Sequence, residues 1–284
     1  NLEISLVLDI SGSMGGSKIS ALRDAAEEFV LLMMDPDLDG LTSLSVIPYN
    51  GGVRLPATVT NDLLPGTPND SGCIELGVTD PVEMELASDG YDWLDWQDRD
   101  QRGWWSSSFC PDQSEATVFL EQTRSVLLDL IEGLSAGGNT GLDLATAWGA
   151  RALDPVWRGR LGGDFSDRPA AYDDTSTMKV LVVMTDGAAT AQYRRAQNWQ
   201  GDWYTYELYS AATARANMEA ACDDAETAGV HIYTIAFQVS GSTNRTLMRE
   251  CASKTENYYQ VESLDISSAF NAIAADLNSL RLAR

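Results

Sequence analysis

Five side chains in three separate stretches present hard oxygen at places where the chain turns. Asp9, Ser11 and Ser13 end the apolar run of LEISLVLDISGSMGG, an acid and two hydroxyls at alternate positions. Thr140 sits in the glycine-rich SAGGNTG, and Asp186 follows the apolar run MKVLVVM in the motif TDG. Three hydroxyls and two carboxylates, with no Cys or His among them, suit Mg2+ or Ca2+, with Mn2+ also compatible, rather than zinc. The plainer alternative is that the two aspartates only cap helices or orient turns.

For these residues to meet, the elements before them must end at one place. The runs at Glu3–Leu8, LTSLSVIPY, MKVLVVM, VHIYTIAF and NYYQV read as strands. MKVLVVM and VHIYTIAF are continuous apolar stretches, fit for burial on both faces. Helical spacing recurs over Ser17–Met34 with Ser17 as N-cap, and helices are expected over 115–134, 142–153, 207–228 ahead of Gly229, 243–253 and 264–282. Asn50-Gly51 signals a hairpin that brings VRLPATV back antiparallel. Alternating strands and helices predict an α/β fold: a doubly wound, mostly parallel six-stranded sheet with one antiparallel edge strand and helices on both faces. Sites in such sheets lie beyond the carboxyl ends of the strands, where strand order reverses. Asp9 and Asp186 are both placed at such ends.

The 284 residues read as a single domain over 1–284, with residues 62–113 as an insertion: rich in Gly, Pro, Asp and Trp, without sustained periodicity, and too long for an ordinary connection. Within it Trp93, Trp96, Trp104 and Trp105 are expected to form a small local core. Residues 188–206 form an aromatic loop directly after Asp186. A net charge of −23 excludes nucleic acid and anionic lipid as main partners. No stretch reaches the ~18 apolar residues of a membrane span, so no membrane contact is expected from this segment. The chain begins almost inside a strand, without initiator Met or signal peptide. This reads as a mature or excised piece, with any membrane anchor upstream of Asn1.

Rival motifs fall short. SGSMGG has neither the order nor the Lys of a phosphate loop. DPDLDG opens like a calcium loop, but its twelfth position is Val46 rather than Glu, so it reads as an acidic turn. The sole histidine, His231, lies in an apolar strand, and no cysteine has an activating base beside it, so no catalytic residue is assigned.

DISGS, then Thr140 in GGNTGL, then Asp186 in TDG, in that order and strand context, resemble the metal-ion-dependent adhesion site of von Willebrand factor type A domains. The resemblance covers most of the chain, the insertions excepted. It implies direct metal contact by Ser11, Ser13 and Thr140, with Asp9 and Asp186 acting wholly or partly through water. Three neutral ligands leave a divalent ion under-neutralised, so the open position draws a carboxylate from a protein partner. This defines a binding site rather than a catalytic centre. A metal-stabilised envelope component without metal-mediated partner contact is the alternative, and a metal-dependent hydrolase a more distant one.

Crossovers winding in one direction place successive helices on one sheet face, which favours pairing of Cys222 with Cys251. Cys73 and Cys110 then staple the insertion. Disulfides imply an extracytoplasmic location, periplasm or cell surface; buried free thiols are the alternative. A narrower resemblance joins LVLDISGSM, a Cys-bearing insertion after the hairpin, HIYTIAF, LMRECAS and LDISSAFNAIAADLNSLRLAR to the TadG-like proteins of tight-adherence (Flp) pilus assembly. It implies pilus or envelope components as partners and an upstream membrane anchor in the full-length protein. Tyr193, Trp199, Trp203, Tyr204 and Tyr206 follow Asp186 and either rim the metal face as partner anchors or pack on the sheet edge.

Overall fold

In chain order the strands are β1 (Leu2–Asp9), β2 (Thr42–Tyr49), β3 (Val53–Arg54), β4 (Cys73–Ile74), β5 (Val118–Glu121), β6 (Met178–Thr185), β7 (Gln192–Gln197), β8 (Trp203–Tyr209), β9 (His231–Phe237) and β10 (Tyr258–Val261). The helices are α1 (Ser17–Met33), α2 (Ala57–Leu63), α3 (Arg124–Gly133), α4 (Leu142–Arg151), α5 (Ala211–Thr227), α6 (Ser242–Cys251) and α7 (Ser267–Leu282). The structure, a computed structural model, describes residues 1–34, 40–63, 72–74, 110–161 and 167–282. Most of the expected insertion at 62–113, its four tryptophans and all but Gly40 of DPDLDG lie outside the described residues.

The five runs expected as parallel strands form the parallel part of the sheet. Its order is β10-β9-β6-β1-β2-β3-β4, with β5 also pairing with β2. β1 is flanked in parallel by β2 and β6, so every residue from Leu2 to Asp9 is buried. The chain winds one way from β1 to β2 and the other way from β6 through β9 to β10. The reversal falls between β1 and β6, which puts Asp9 and the end of β6 side by side.

The pleat sorts side chains by parity. Leu2, Ile4, Leu6 and Leu8 of β1 join Val180, Val182, Met184, Tyr233, Ile235 and Phe237 against α1, α3 and α7. There Phe29 and Phe270 meet edge to face at 5.6 Å. Val7, Leu181, Val183, Ile232 and Ala236 face the other way, onto α4, α5 and α6. α4 lies so close to the sheet that a Cβ on Gly149 would come within 2.5 Å of Val7 Cγ2 and 2.7 Å of Leu181 Cδ1. Burial of each large apolar side chain in these layers contributes about 1.5–3 kcal/mol.

The doubly wound, mostly parallel sheet is as expected, but among the described residues it has eight strands rather than six, because β3, β4 and β5 add short antiparallel pairings where one edge strand was expected. Several boundaries differ. VRLPATV is a strand only at Val53–Arg54, because Pro56 has no N–H for a ladder and α2 starts after it. The helix expected from 115 starts at Arg124, since Val118–Glu121 pair antiparallel with β2. Ser17 is the first residue of α1 and Gly16, at φ 77°, its N-cap. The helix expected from 207 starts at Ala211, because β8 runs through Tyr209 and Ser210 caps α5 by accepting from Thr213 N.

α5 and α6 lie side by side on one sheet face, as one-directional winding requires, and Cys222 and Cys251 are joined in a disulfide. Cys110 is disulfide-bonded as well. The side chain of Cys73, its expected partner, lies outside the described ones.

Candidate metal centre

Asp9 ends β1 with its side chain fully buried. Its Oδ1 accepts from Ser11 N at 2.8 Å and its Oδ2 from the Thr185 hydroxyl at 2.7 Å. The first bond folds DISGS back on the strand end, so that Ser11 and Ser13 lie with their hydroxyl oxygens 3.0 Å apart. Ser13 donates to Asp186 Oδ1 at 2.5 Å, closing the gap between the β1 and β6 ends. Ser13 is exposed, whereas Asp186 and Thr140 are almost wholly buried.

Backbone bonds bring in the third loop. Gly12 N donates to Gly138 O at 3.0 Å and Gly137 N to Ile10 O at 2.8 Å. Thr190, just past Asp186, donates through its hydroxyl to Thr140 O at 2.8 Å. A Cβ on Gly187 would meet Thr140 Oγ1 at 3.7 Å and Ser13 Oγ at 3.8 Å, so both hydroxyls border one small space beside that glycine. All five expected residues are thus brought to one end of the sheet. His231 starts β9, at the opposite end.

The electrostatics are those of a site short of positive charge. Burial, and then the neighbouring charge of Asp186, push the Asp9 carboxyl up to about 6. Lys18 Nζ lies 2.7 Å from Asp186 Oδ2, a cation from the chain itself standing beside the acid. The oxygen chemistry, the shared space at Gly187 and this stand-in charge all fit a hard divalent ion held by Ser11, Ser13, Thr140, Asp9 and Asp186. Among the described residues no three His, Cys, Asp or Glu side chains gather into a metal cluster. Lys18, Thr185 and Thr190 had not been singled out from the sequence. The one signal available was Lys18, a cation in the first turn of a helix, where the dipole disfavours it.

The expected aromatic loop at 188–206 is largely a β-hairpin. β7 and β8 pair antiparallel apart from the main sheet, around a turn held by Asn198, whose Oδ1 accepts from Gln200 N and Asp202 N. Trp199 at this turn is 92% exposed, and Tyr193 and Tyr204 are exposed. Tyr204 and Tyr206 stand on one face with ring centroids 5.9 Å apart. The side chain of Trp203 lies outside the described ones. The hairpin leaves from Thr190 and returns at Tyr209, whose hydroxyl donates to Asp143 Oδ2 at 2.7 Å. Both ends are therefore tied to the Thr140 loop or to α4 just after it.

Asp143 is fully buried, and burial pushes its carboxyl up to about 6 despite the bond from Tyr209. A folded-state value above the unfolded one favours the protonated acid. The stability it contributes is whole below pH 4 and is lost as pH rises through 6. By this group alone, unfolding free energy is expected to fall by about 3 kcal/mol between pH 4 and 7.5. In urea titrations across that range Asp143→Asn, which can still accept from Tyr209, is expected to show a shallower decline. Equal slopes in the two proteins would contradict this.

The fold is that of von Willebrand factor type A domains. The pilus adhesin SpaC of Lactobacillus rhamnosus GG, in its open conformation, aligns over 97% of this chain at a TM-score of 0.56 and 14% identity. This chain spans only 30% of that adhesin's length. The vWF domain of the type V pili tip protein Mfa5 from Porphyromonas gingivalis aligns over 98% of this chain and 95% of its own, at a TM-score of 0.59 and 11% identity. Proximal thread matrix protein 1 from the mussel byssus, with a zinc-occupied MIDAS motif, aligns over 98% of this chain and 48% of its own, at a TM-score of 0.51 and 12% identity. No family model matches the chain, and no curated protein does.

Proposed function

We propose that this chain is an exported, adhesion-type binding domain rather than an enzyme. Ser11, Ser13 and Thr140 hold a divalent cation, Mg2+ or Ca2+ with Mn2+ also accepted, and Asp9 and Asp186 support it. An acidic side chain of a protein partner would supply the further oxygen that these neutral ligands leave wanting. The observation that carries this reading is the meeting of three hydroxyls and two carboxylates from three loops at the strand-order reversal. The bound ion supplies Lewis acidity toward a carboxylate; the chain supplies a buried frame that fixes the oxygens before the ion arrives.

The aromatic hairpin beside the site supplies partner anchors. Trp199, Tyr193 and Tyr204 are exposed on an element fastened at both ends next to Thr140, and exposed aromatics are frequent anchors at protein interfaces. Tyr206 and Trp203 belong to the same strand. The disulfide supports an extracytoplasmic setting. No helix of the described residues is long and apolar enough to cross a membrane. Two solved structures sharing the fold are a pilus adhesin and a pilus tip protein. They support a role in surface adhesion or pilus assembly, of which the TadG-like tight-adherence setting is the narrower form.

Titration of the purified chain with Mn2+ or Mg2+ tests the reading. The wild-type chain is expected to bind one ion, and Asp9→Asn, which keeps an acceptor for Ser11 N, to bind it about 10–100-fold more weakly with an unchanged circular-dichroism spectrum. Equal affinity in the two would sink the assignment. A melting temperature raised by the ion, with no affinity for carboxylate ligands, would favour the structural alternative.

A further inference from the structure

We infer that Lys18 is a built-in counter-cation of this site, lowering its affinity for the divalent ion while strengthening the loaded site's pull on an incoming carboxylate. The inference rests on the metal reading above and adds a residue to it.

The Lys18 ammonium donates to Asp186 Oδ2 at 2.7 Å, while Ser13 donates to Oδ1 of the same carboxylate at 2.5 Å. The Asp186 side chain has no exposed surface, and that of Lys18 is only 21% exposed. This is therefore a half-buried charge pair rather than a solvated surface contact, and screening by water is reduced. The ammonium also lies 5.9 Å from the ring centroid of Phe237 at the end of β9. It is thus placed across the ends of β6 and β9. Lys18 is the second residue of α1, where the helix dipole disfavours a cation. A residue that breaks a local preference, yet is held against a functional carboxylate, is expected to have a use there.

The charge balance says what that use is. Asp9 and Asp186 bring two negative charges, and Lys18 returns one. Without Lys18, a divalent ion would bind a site of matching charge and leave it neutral. With Lys18, the ion meets a weaker field, and the loaded site keeps a net positive charge. Lys18 also engages the Asp186 oxygen that Ser13 does not, so both oxygens of that carboxylate are already bonded within the chain and would have less to give to an ion. Both effects leave the ion more demanding of an external anion. Before the ion arrives, Lys18 compensates a carboxylate that would otherwise be buried without a cation.

Three chains separate the outcomes: wild type, Lys18→Met and Lys18→Arg. Each is titrated with Mn2+ by calorimetry, melted with and without Mn2+, and, once loaded, titrated with acetate as the carboxylate probe, read by water-proton relaxation at the manganese. Lys18→Met is expected to bind Mn2+ at least about tenfold more tightly and acetate more weakly, by the Coulomb energy of one nearby charge. Without metal it is expected to melt below wild type, the gap narrowing when Mn2+ is added. Lys18→Arg, which keeps the charge, is expected to stay near wild type in all three readings. Mn2+ affinity unchanged or weakened in Lys18→Met would overturn the role of Lys18 and leave the metal site standing. No Mn2+ binding by the wild-type chain at millimolar concentration would overturn both.

Discussion

Lys179→Met is expected to cost about 3–5 kcal/mol of unfolding free energy, although it exchanges one long side chain for another in an apolar strand. Lys179 and Glu3 are direct neighbours across β1 and β6, both almost wholly buried, with Nζ 2.6 Å from Glu3 Oε2. The ammonium also donates to Leu153 O at 2.7 Å, and Glu3 Oε1 accepts from Ala170 N at 2.7 Å. The pair therefore ties the lower end of the sheet to the chain after α4 and to the segment that enters β6. Removing the cation strands a buried carboxylate, and that penalty, more than the lost attraction, sets the size of the effect. Equilibrium urea denaturation measures it. Glu3→Gln combined with Lys179→Met is expected to recover part of the loss, because Gln can still accept from Ala170 N without its charge. A single variant as stable as wild type would show that the pair contributes nothing net.

Opening the Cys222–Cys251 bridge is expected to cost about 3–4 kcal/mol, the chain entropy released when a loop of this length is freed in the unfolded state. The bridge closes 29 residues, which span the end of α5, all of β9 and α6. Both sulfurs are buried in the layer beneath α4, α5 and α6. The paired Ala variant keeps the packing nearly intact, so its shift in urea midpoint reads the constraint itself. A midpoint unchanged from wild type would mean that the packing of α5 against α6 already provides the restraint. β9 lies next to β6, and Phe237 at its end faces Lys18. Loosening this unit is therefore expected to relax the strand ends around Lys18 and Asp186 as well.

Much of this could be read from residue order. Apolar runs bounded by turn residues marked β1, β2, β6 and β9, because a strand buried on both faces has few polar positions to disguise it. Helical spacing marked α1, α5 and α7 to within a few residues. The five oxygen-bearing residues were legible because each sits just past an apolar run or in a glycine-rich loop, where a side chain can face outward without breaking a ladder. The pairing of Cys222 with Cys251 was favoured by winding direction, with free thiols as the alternative, and the bond is present. Less was legible where local signals compete. Pro56 closed β3 early. The β7–β8 hairpin reads as a loop from the sequence, although WYTYELY is rich in strand-forming aromatics and Gly201, at positive φ, lies between the two strands. Its strands pair only with each other, so no partner in the main sheet gave them away.

The residues by themselves determined the fold class and which oxygen-bearing side chains end the strands, because burial periodicity and oxygen donors are properties of single stretches. Only the tertiary structure decided which charges meet. Lys179 stood in an apolar run with nothing nearby in sequence to explain it, until the β1–β6 register set it against Glu3, 176 residues away. Lys18 was one more cation on a helix, until the strand-order reversal placed its ammonium against Asp186, 168 residues distant. Electrostatic energy depends on distance and on the exclusion of water, and the folded sheet alone fixes both.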